Sequence, residues 1–212
     1  MSEYIDVSLP IKSNMMRYPG DKPCLVSSTM SIDRGDRFNV TRVDMSVHTG
    51  THVDAPYHCF RDGKKVHELE AHHFIGRAKV LDFSHVAHKI DESNFDGIAI
   101  QKDDIILLKT SNSEKVVLND FNKDYVYISK SAACFLAEKK IATLGFDYHS
   151  IDVFADKMFP AHDALLGNGV VIIEGINLKD VEAGDYDIVA LPLKIMNGDG
   201  APARVMIKKV ED

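Results

Sequence analysis

Asp104-Ile105-Ile106-Leu107-Leu108-Lys109 sets four apolar residues in a row between charged ones. A half-buried strand alternates apolar with polar, and an amphipathic helix repeats every three to four residues. A short unbroken run does neither, and fits a strand covered on both faces near the centre of a sheet. Working outward, Ala78-Lys79-Val80-Leu81-Asp82-Phe83 reads as a strand after Gly76, and Val170-Val171-Ile172-Ile173 as another after the Gly167-Asn168-Gly169 turn. Residues 187–191 and 203–207 complete the apolar runs, and Val43, Met45 and Val47 alternate with Arg42, Asp44 and Ser46. Ser129 or Ser131 can cap a helix ending at Lys139-Lys140, where basic residues suit the negative end of the dipole. A shorter helix runs from Ala161 to Leu166, with Gly167 as its C-terminal cap. Segment 110–124, with its Asn, Ser, Lys and Asp, reads as a surface loop. Strands dominate, so the expected fold class is α/β: a single domain over 1–212 with a mixed sheet and few helices.

The bulk numbers exclude several function classes. The net charge is −7, from 32 acids against 25 bases, and no basic stripe stands out, so no nucleic-acid partner is expected. No apolar run is long enough to cross a bilayer, and Met1-Ser2-Glu3-Tyr4-Ile5-Asp6 lacks the apolar core of a signal peptide. Cys24, Cys59 and Cys134 are widely spaced and odd in number, which suits a cytoplasmic location. Cys59 lies next to the key histidines and could be a ligand; by habit it reads as a small buried apolar residue.

Ten histidines are the unusual feature, and they cluster in His48-Thr49-Gly50-Thr51-His52-Val53-Asp54-Ala55-Pro56-Tyr57-His58. His48, His52, Asp54 and His58 all occupy even positions. If the strand before them continues in extended form, the four share one face, and Val43, Met45, Val47, Val53 and Ala55 share the other. A helix would carry Asp54 away from the two histidines, and Gly50 and Pro56 argue against one. A bend at Gly50 would bring His48 and His52 closer together. Imidazole with carboxylate suits zinc, with manganese as an alternative. A single H-x3-H pair would be unremarkable; two His, an Asp and a further His on one parity point to metal. The remaining ligands would come from His149, Asp152, Asp147, His162, Asp163 and Glu174. Glu174 ends an apolar run, where an acid is costly unless paired or metal-bound.

The stretch from His48 to His58 resembles the H-T-G-T-H-x-D-x-P-x-H signature of the cyclase family of metal-dependent hydrolases. Ile5-Asp6-Val7-Ser8, Tyr18-Pro19-Gly20-Asp21, Ile173-Glu174-Gly175 and Gly184 to Leu193 are similar to its opening and closing segments, so the likeness spans nearly the whole chain. The resemblance implies a swivelling β/β/α fold and a homo-oligomer, dimer or tetramer. It also implies two Zn2+ ions per subunit, with Mn2+ as the alternative: His48 and His52 on one, His162 on the other, Asp54 and Glu174 bridging. His58 is implied as the proton-transfer residue. Its formamidase branch hydrolyses N-formylkynurenine to kynurenine and formate, so the expected partner is a small-molecule substrate whose aromatic ring would lie against Tyr18. That branch usually has Trp in place of Tyr18, and Thr-Pro-Ser where this chain has Tyr148-His149-Ser150. Ring opening of a cyclic amide such as isatin, or of a lactone, is the alternative within hydrolases. A non-catalytic metal- or ligand-binding protein is the alternative outside them.

Overall fold

The computed structural model describes residues 3–154 and 156–211. Its strands are β1 (Ile5–Asp6), β2 (Leu25–Met30), β3 (Val40–Asp44), β4 (His52–Asp54), β5 (Ile75–Asp82), β6 (Lys89–Ile90), β7 (Ile105–Lys109), β8 (Tyr127–Ile128), β9 (Thr143–Phe146), β10 (Val171–Glu174), β11 (Gly184–Val189), β12 (Gly200–Pro202) and β13 (Met206–Lys209). Its helices are α1 (Lys130–Glu138) and α2 (Pro160–Leu166). Among the described residues, nine strands form one sheet in the order β1-β13-β11-β5-β7-β9-β10-β4-β12. The centre, β5-β7-β9-β10, is parallel, and the strands outside it are antiparallel. The sheet is therefore mixed, as expected.

β7 lies inside the parallel block. Ile106 and Leu108 pack on one face with Leu144, Phe146 and the helix residues Leu136 and Leu165. Ile105 and Leu107 pack on the other with Val80, Val171, Ile173 and Ile188. Both faces are covered, which is why the run shows no alternation. Ser129 is the cap of α1, its Oγ accepting the Ala132 amide at 3.2 Å. Helix α2 opens on Pro160 and packs against α1 and β10.

Three expectations need correction. No strand runs from 43 to 58: β3 stops at Asp44 and pairs only with β2, in a hairpin whose Val43 is exposed. Val43 and Val53 therefore share no buried face. Gly167, by contrast, caps α2 as expected, with φ −65°; a Cβ there would lie 2.6 Å from the Asp163 carbonyl, so glycine serves close packing. Segment 110–124 is only partly surface, because Asn112 and Ser113 are buried. Cys59 is exposed, and it is Cys24 that is buried. Among the described residues, no helix is long and apolar enough to cross a membrane.

Candidate metal centre

β4 and β10 build the floor of the site. They pair antiparallel, with Asp54 opposite Ile172 and His52 opposite Glu174. Cross-strand partners share a face, and Ile172 belongs to the helix-side core while Val53 and Ile173 fill the opposite one. His52, Asp54 and Glu174 thus point together toward the helices. Beyond β10 the chain turns at Gly175, with φ +70°. A Cβ there would meet the Gly50 carbonyl at 2.4 Å, so only glycine permits this approach. Gly50 itself has φ +67° and folds His48 back, leaving the His48 and His52 rings 5.1 Å apart. The first turn of α2 delivers His162. Asp152 fixes it there, accepting the Ala161 amide at 2.8 Å, the His162 amide at 3.1 Å and the His162 ring Nδ1–H at 2.6 Å.

Three imidazoles each send one nitrogen outward to an acceptor: His48 Nε2 to Asp199 Oδ2 (2.8 Å), His52 Nδ1 to the Gly50 carbonyl (2.9 Å), His162 Nδ1 to Asp152. Their other nitrogens converge on two carboxylates. Asp54 Oδ1 lies 2.7 Å from His48 Nδ1 and 3.4 Å from His52 Nε2, while Oδ2 lies 3.7 Å from His162 Nε2. Glu174 Oε2 lies 3.5 Å from His52 Nε2, and Oε1 lies 3.3 Å from His162 Nε2. Each carboxylate turns one oxygen to His52 and the other to His162. An imidazole that donates its N–H outward presents a lone pair inward. Lone pairs facing carboxylate oxygens repel unless a proton or a cation lies between them. Burial pulls His48 down, yet Asp54 and Asp199 outweigh it and raise its pKa to about 10. Burial likewise opposes the charge on His162, which Asp152, Asp54 and Glu174 nonetheless hold well above its ordinary range. Burial works against the Asp54 carboxylate, but His52 and His48 keep its pKa well below the usual range. A divalent cation would balance the same charges, and the oriented N/O donors fit one.

The cluster opens into a cleft of about 630 Å³. His58 lines it from a 3-10 turn, Pro56–His58, with its ring 4.2 Å from that of His48 and Nδ1 3.4 Å from Asp199 Oδ2. His48, Asp54 and His58 place ligand atoms within 4.8 Å of one another, as do His52, Asp54 and Glu174. Tyr18 lines the cleft and is braced edge-on by Phe121 at 5.4 Å. Its phenol is raised, first by burial and then by the Glu174 charge. His149 also lines the cleft; its Nε2 is buried and unpartnered among the described residues, and burial, reinforced by the charge of His52, lowers its pKa to about 4.

All seven residues singled out in sequence, Tyr18, His48, His52, Asp54, His58, His162 and Glu174, meet in this cleft. The other candidates divide. Asp152 orients His162, and Asp163 lies at the cleft wall with Cys59. Asp147 is turned away, bound by Thr110 and Ser113. Asp199 was missed. Its one sequence signal is the Gly198-Asp199-Gly200 tight segment, which carries no ligand spacing.

The chain is similar to known proteins along its length. The family model described as "Putative cyclase" matches residues 5–153. The kynurenine formamidases of Bacillus cereus (strain ATCC 14579) and Bacillus mycoides (strain KBAB4) are each 35% identical over 209 residues, 99% of this chain and 99% of theirs. A solved structure described as a "Potential Metal-Dependent Hydrolase With Cyclase Activity" superposes with TM-score 0.86 at 34% identity, over 100% of both chains. Isatin hydrolase A from Labrenzia aggregata superposes with TM-score 0.84 at 26% identity, over 99% of this chain and 94% of that one.

Proposed function

Since this chain belongs to the cyclase family of metal-dependent hydrolases, we propose that it hydrolyses an aryl formamide, with N-formylkynurenine as the lead substrate. The observation that carries the reading is the split of Asp54 and Glu174, each with one oxygen toward His52 and the other toward His162. Asp54, Glu174, His48, His52 and His162 are the residues that would hold two cations there. Zn2+ is the ion we assign, Mn2+ the alternative. Such ions supply Lewis acidity to a water and to the carbonyl oxygen.

The chain's own residues do the rest. Asp152 and Gly50 hold His162 and His52 in the rotations that aim their inner nitrogens. His58, which makes no direct bond to Glu174, takes a proton from the attacking water and delivers it to the departing nitrogen as the C–N bond breaks. Water and formamide become formate and the aryl amine. The Tyr18 ring, braced by Phe121, offers a face to the substrate's aromatic ring.

The reading includes a homo-oligomer, dimer or tetramer, and a cytoplasmic location. Leu25, Phe38, Val40 and Val43 on and beside the β2–β3 hairpin are exposed and suit burial against a second copy. Three free thiols suit a reducing compartment. A second reading, opening of a cyclic amide such as isatin, uses the same groups on a C–N bond inside a ring. The likeness to isatin hydrolase A favours it.

The test is a panel of formylkynurenine, isatin, simple formanilides and lactones on zinc- and manganese-loaded protein. Chelation should abolish turnover and metal should restore it; activity that persists in metal-free protein sinks the mechanism. His58→Ala should keep its metal and lose about 10²–10⁴-fold in kcat, the range of a general acid–base. Loss of metal with residual rate would make His58 a ligand instead.

A further inference from the structure

Asp199 immediately precedes β12 and touches two of the site histidines with one oxygen. Oδ2 lies 2.8 Å from His48 Nε2 and 3.4 Å from His58 Nδ1. A carboxylate oxygen has two lone pairs and can accept both N–H groups at once. The backbone that carries this carboxylate is held in place from behind. The Ala55 amide donates to the Asp199 carbonyl at 2.9 Å, and the Val66 amide to the Gly198 carbonyl at 3.0 Å. Gly200 pairs with Asp54 across β12 and β4. The segment that carries Asp199 is thus locked to the strand that carries Asp54.

His58 has little else to fix it. It sits at the end of a short turn with a third of its side chain exposed, and a histidine there can flip or swing. Its ring is nonetheless 4.2 Å from that of His48. A carboxylate on Nδ1 selects one tautomer, N–H at Nδ1 and lone pair at Nε2, and holds the ring in one orientation. The same oxygen ties that orientation to His48, and so to the cluster.

We propose that Asp199 is the positioning residue of the proton-transfer step: its bridge between His48 and His58 aims His58 Nε2 at the reacting bond. The proposal rests on the hydrolase reading above. It assigns Asp199 a part in protonating the leaving nitrogen and none in binding substrate.

Leaving-group chemistry separates this role from a structural one. An anilide leaves only when its nitrogen is protonated, whereas 4-nitrophenyl formate expels a stable phenolate without help. In Asp199→Asn at saturating zinc, kcat for formanilide should fall about 10–100-fold, the usual effect of removing a histidine's carboxylate partner. KM should stay constant, and kcat for 4-nitrophenyl formate should fall clearly less, because the ester needs His58 to take the proton from water but not to protonate a leaving group. In a His58→Ala background the same substitution should cost less than about 3-fold, because residues acting through one another are not additive. Equal losses on both substrates would overturn the proposal, as would additive losses with His58→Ala. An anilide rate that falls only when zinc is limiting and is full at saturating zinc would also overturn it, since Asp199 would then act through His48 alone. A wild-type protein inert towards both substrates removes the hydrolase reading itself, and this proposal with it.

Discussion

His149 is buried, its Nε2 has no hydrogen-bond partner among the described residues, and burial first, the charge of His52 second, lowers its pKa to about 4. It is neutral in the fold and titrates near 6.5 when unfolded. A base whose folded pKa is depressed adds stability above its unfolded pKa, and that stability is lost as pH falls toward the folded value. His149 therefore steepens acid destabilisation between pH 6.5 and 4. His149→Phe should show a shallower fall of the urea midpoint over that window than the wild type, whatever it does to stability at pH 7; parallel curves would refute the assignment. The residue scale also shows what pattern reading could reach. Glu174 and Asp147 both end buried strands, and the expectation that such an acid needs partners holds for each. Glu174 finds histidines 122 and 12 residues away, His52 and His162. Asp147 finds Thr110 and Ser113, accepting an amide and a hydroxyl from each at 2.7–3.1 Å. Burial pushes its carboxyl up to about 6 against the pull of those donors. Which acid meets histidine and which meets hydroxyl is decided by strand order, and local sequence does not contain strand order.

At the scale of elements, the site hangs on two strands of three residues each, β4 and β12. Their pairing leaves no room at Gly200: a Cβ would lie 2.5 Å from the Val53 carbonyl and 3.0 Å from His48 Cε1. The first neighbour is backbone and cannot rotate away. Gly200→Ala should therefore lift β12 off β4 and shift both His48 and Asp199. Overpacking of this kind costs about 1–3 kcal/mol. Urea unfolding should report that loss, and calorimetric titration should report weaker zinc binding; unchanged zinc affinity would show that β12 does not position the site. The apolar strands β7 and β10 were legible because burial on two faces leaves a run in the sequence. β4 and β12 are too short to leave any pattern, and β2–β3 is exposed on nearly every residue. The shared parity of His48, His52, Asp54 and His58 led to the right cluster through a partly wrong geometry. Only His52 and Asp54 share a strand face; the Gly50 reversal and the 3-10 turn bring in the other two.

For the whole molecule, the decisive fact is how far apart the ligands lie in the chain. His48, His52 and Asp54 come from β4 and its approach, His162 from α2 and Glu174 from β10. The mixed sheet joins these segments, and β1 pairs with β13 so that both ends of the described chain close the same sheet. A cation that bridges β4, β10 and α2 can bind only after the sheet is assembled and α2 has docked. Its binding free energy then adds to folding, by about 1.4 kcal/mol for each tenfold rise in free ion above Kd. For a protein of this size, 1 kcal/mol shifts Tm by about 2–4 °C. One ion should therefore raise Tm by roughly 3–6 °C per tenfold increase in buffered free zinc, and two ions by about twice that. Scanning calorimetry across a zinc-buffer series measures the slope, and with it the number of ions. His58→Ala should leave the slope intact, because that residue is assigned to proton transfer. Glu174→Gln should flatten it, since an amide cannot bridge two cations as a carboxylate does. A wild-type Tm that ignores free zinc would mean that the converging imidazoles and carboxylates are neutralised by protons alone, and the metal reading of the cleft would fall.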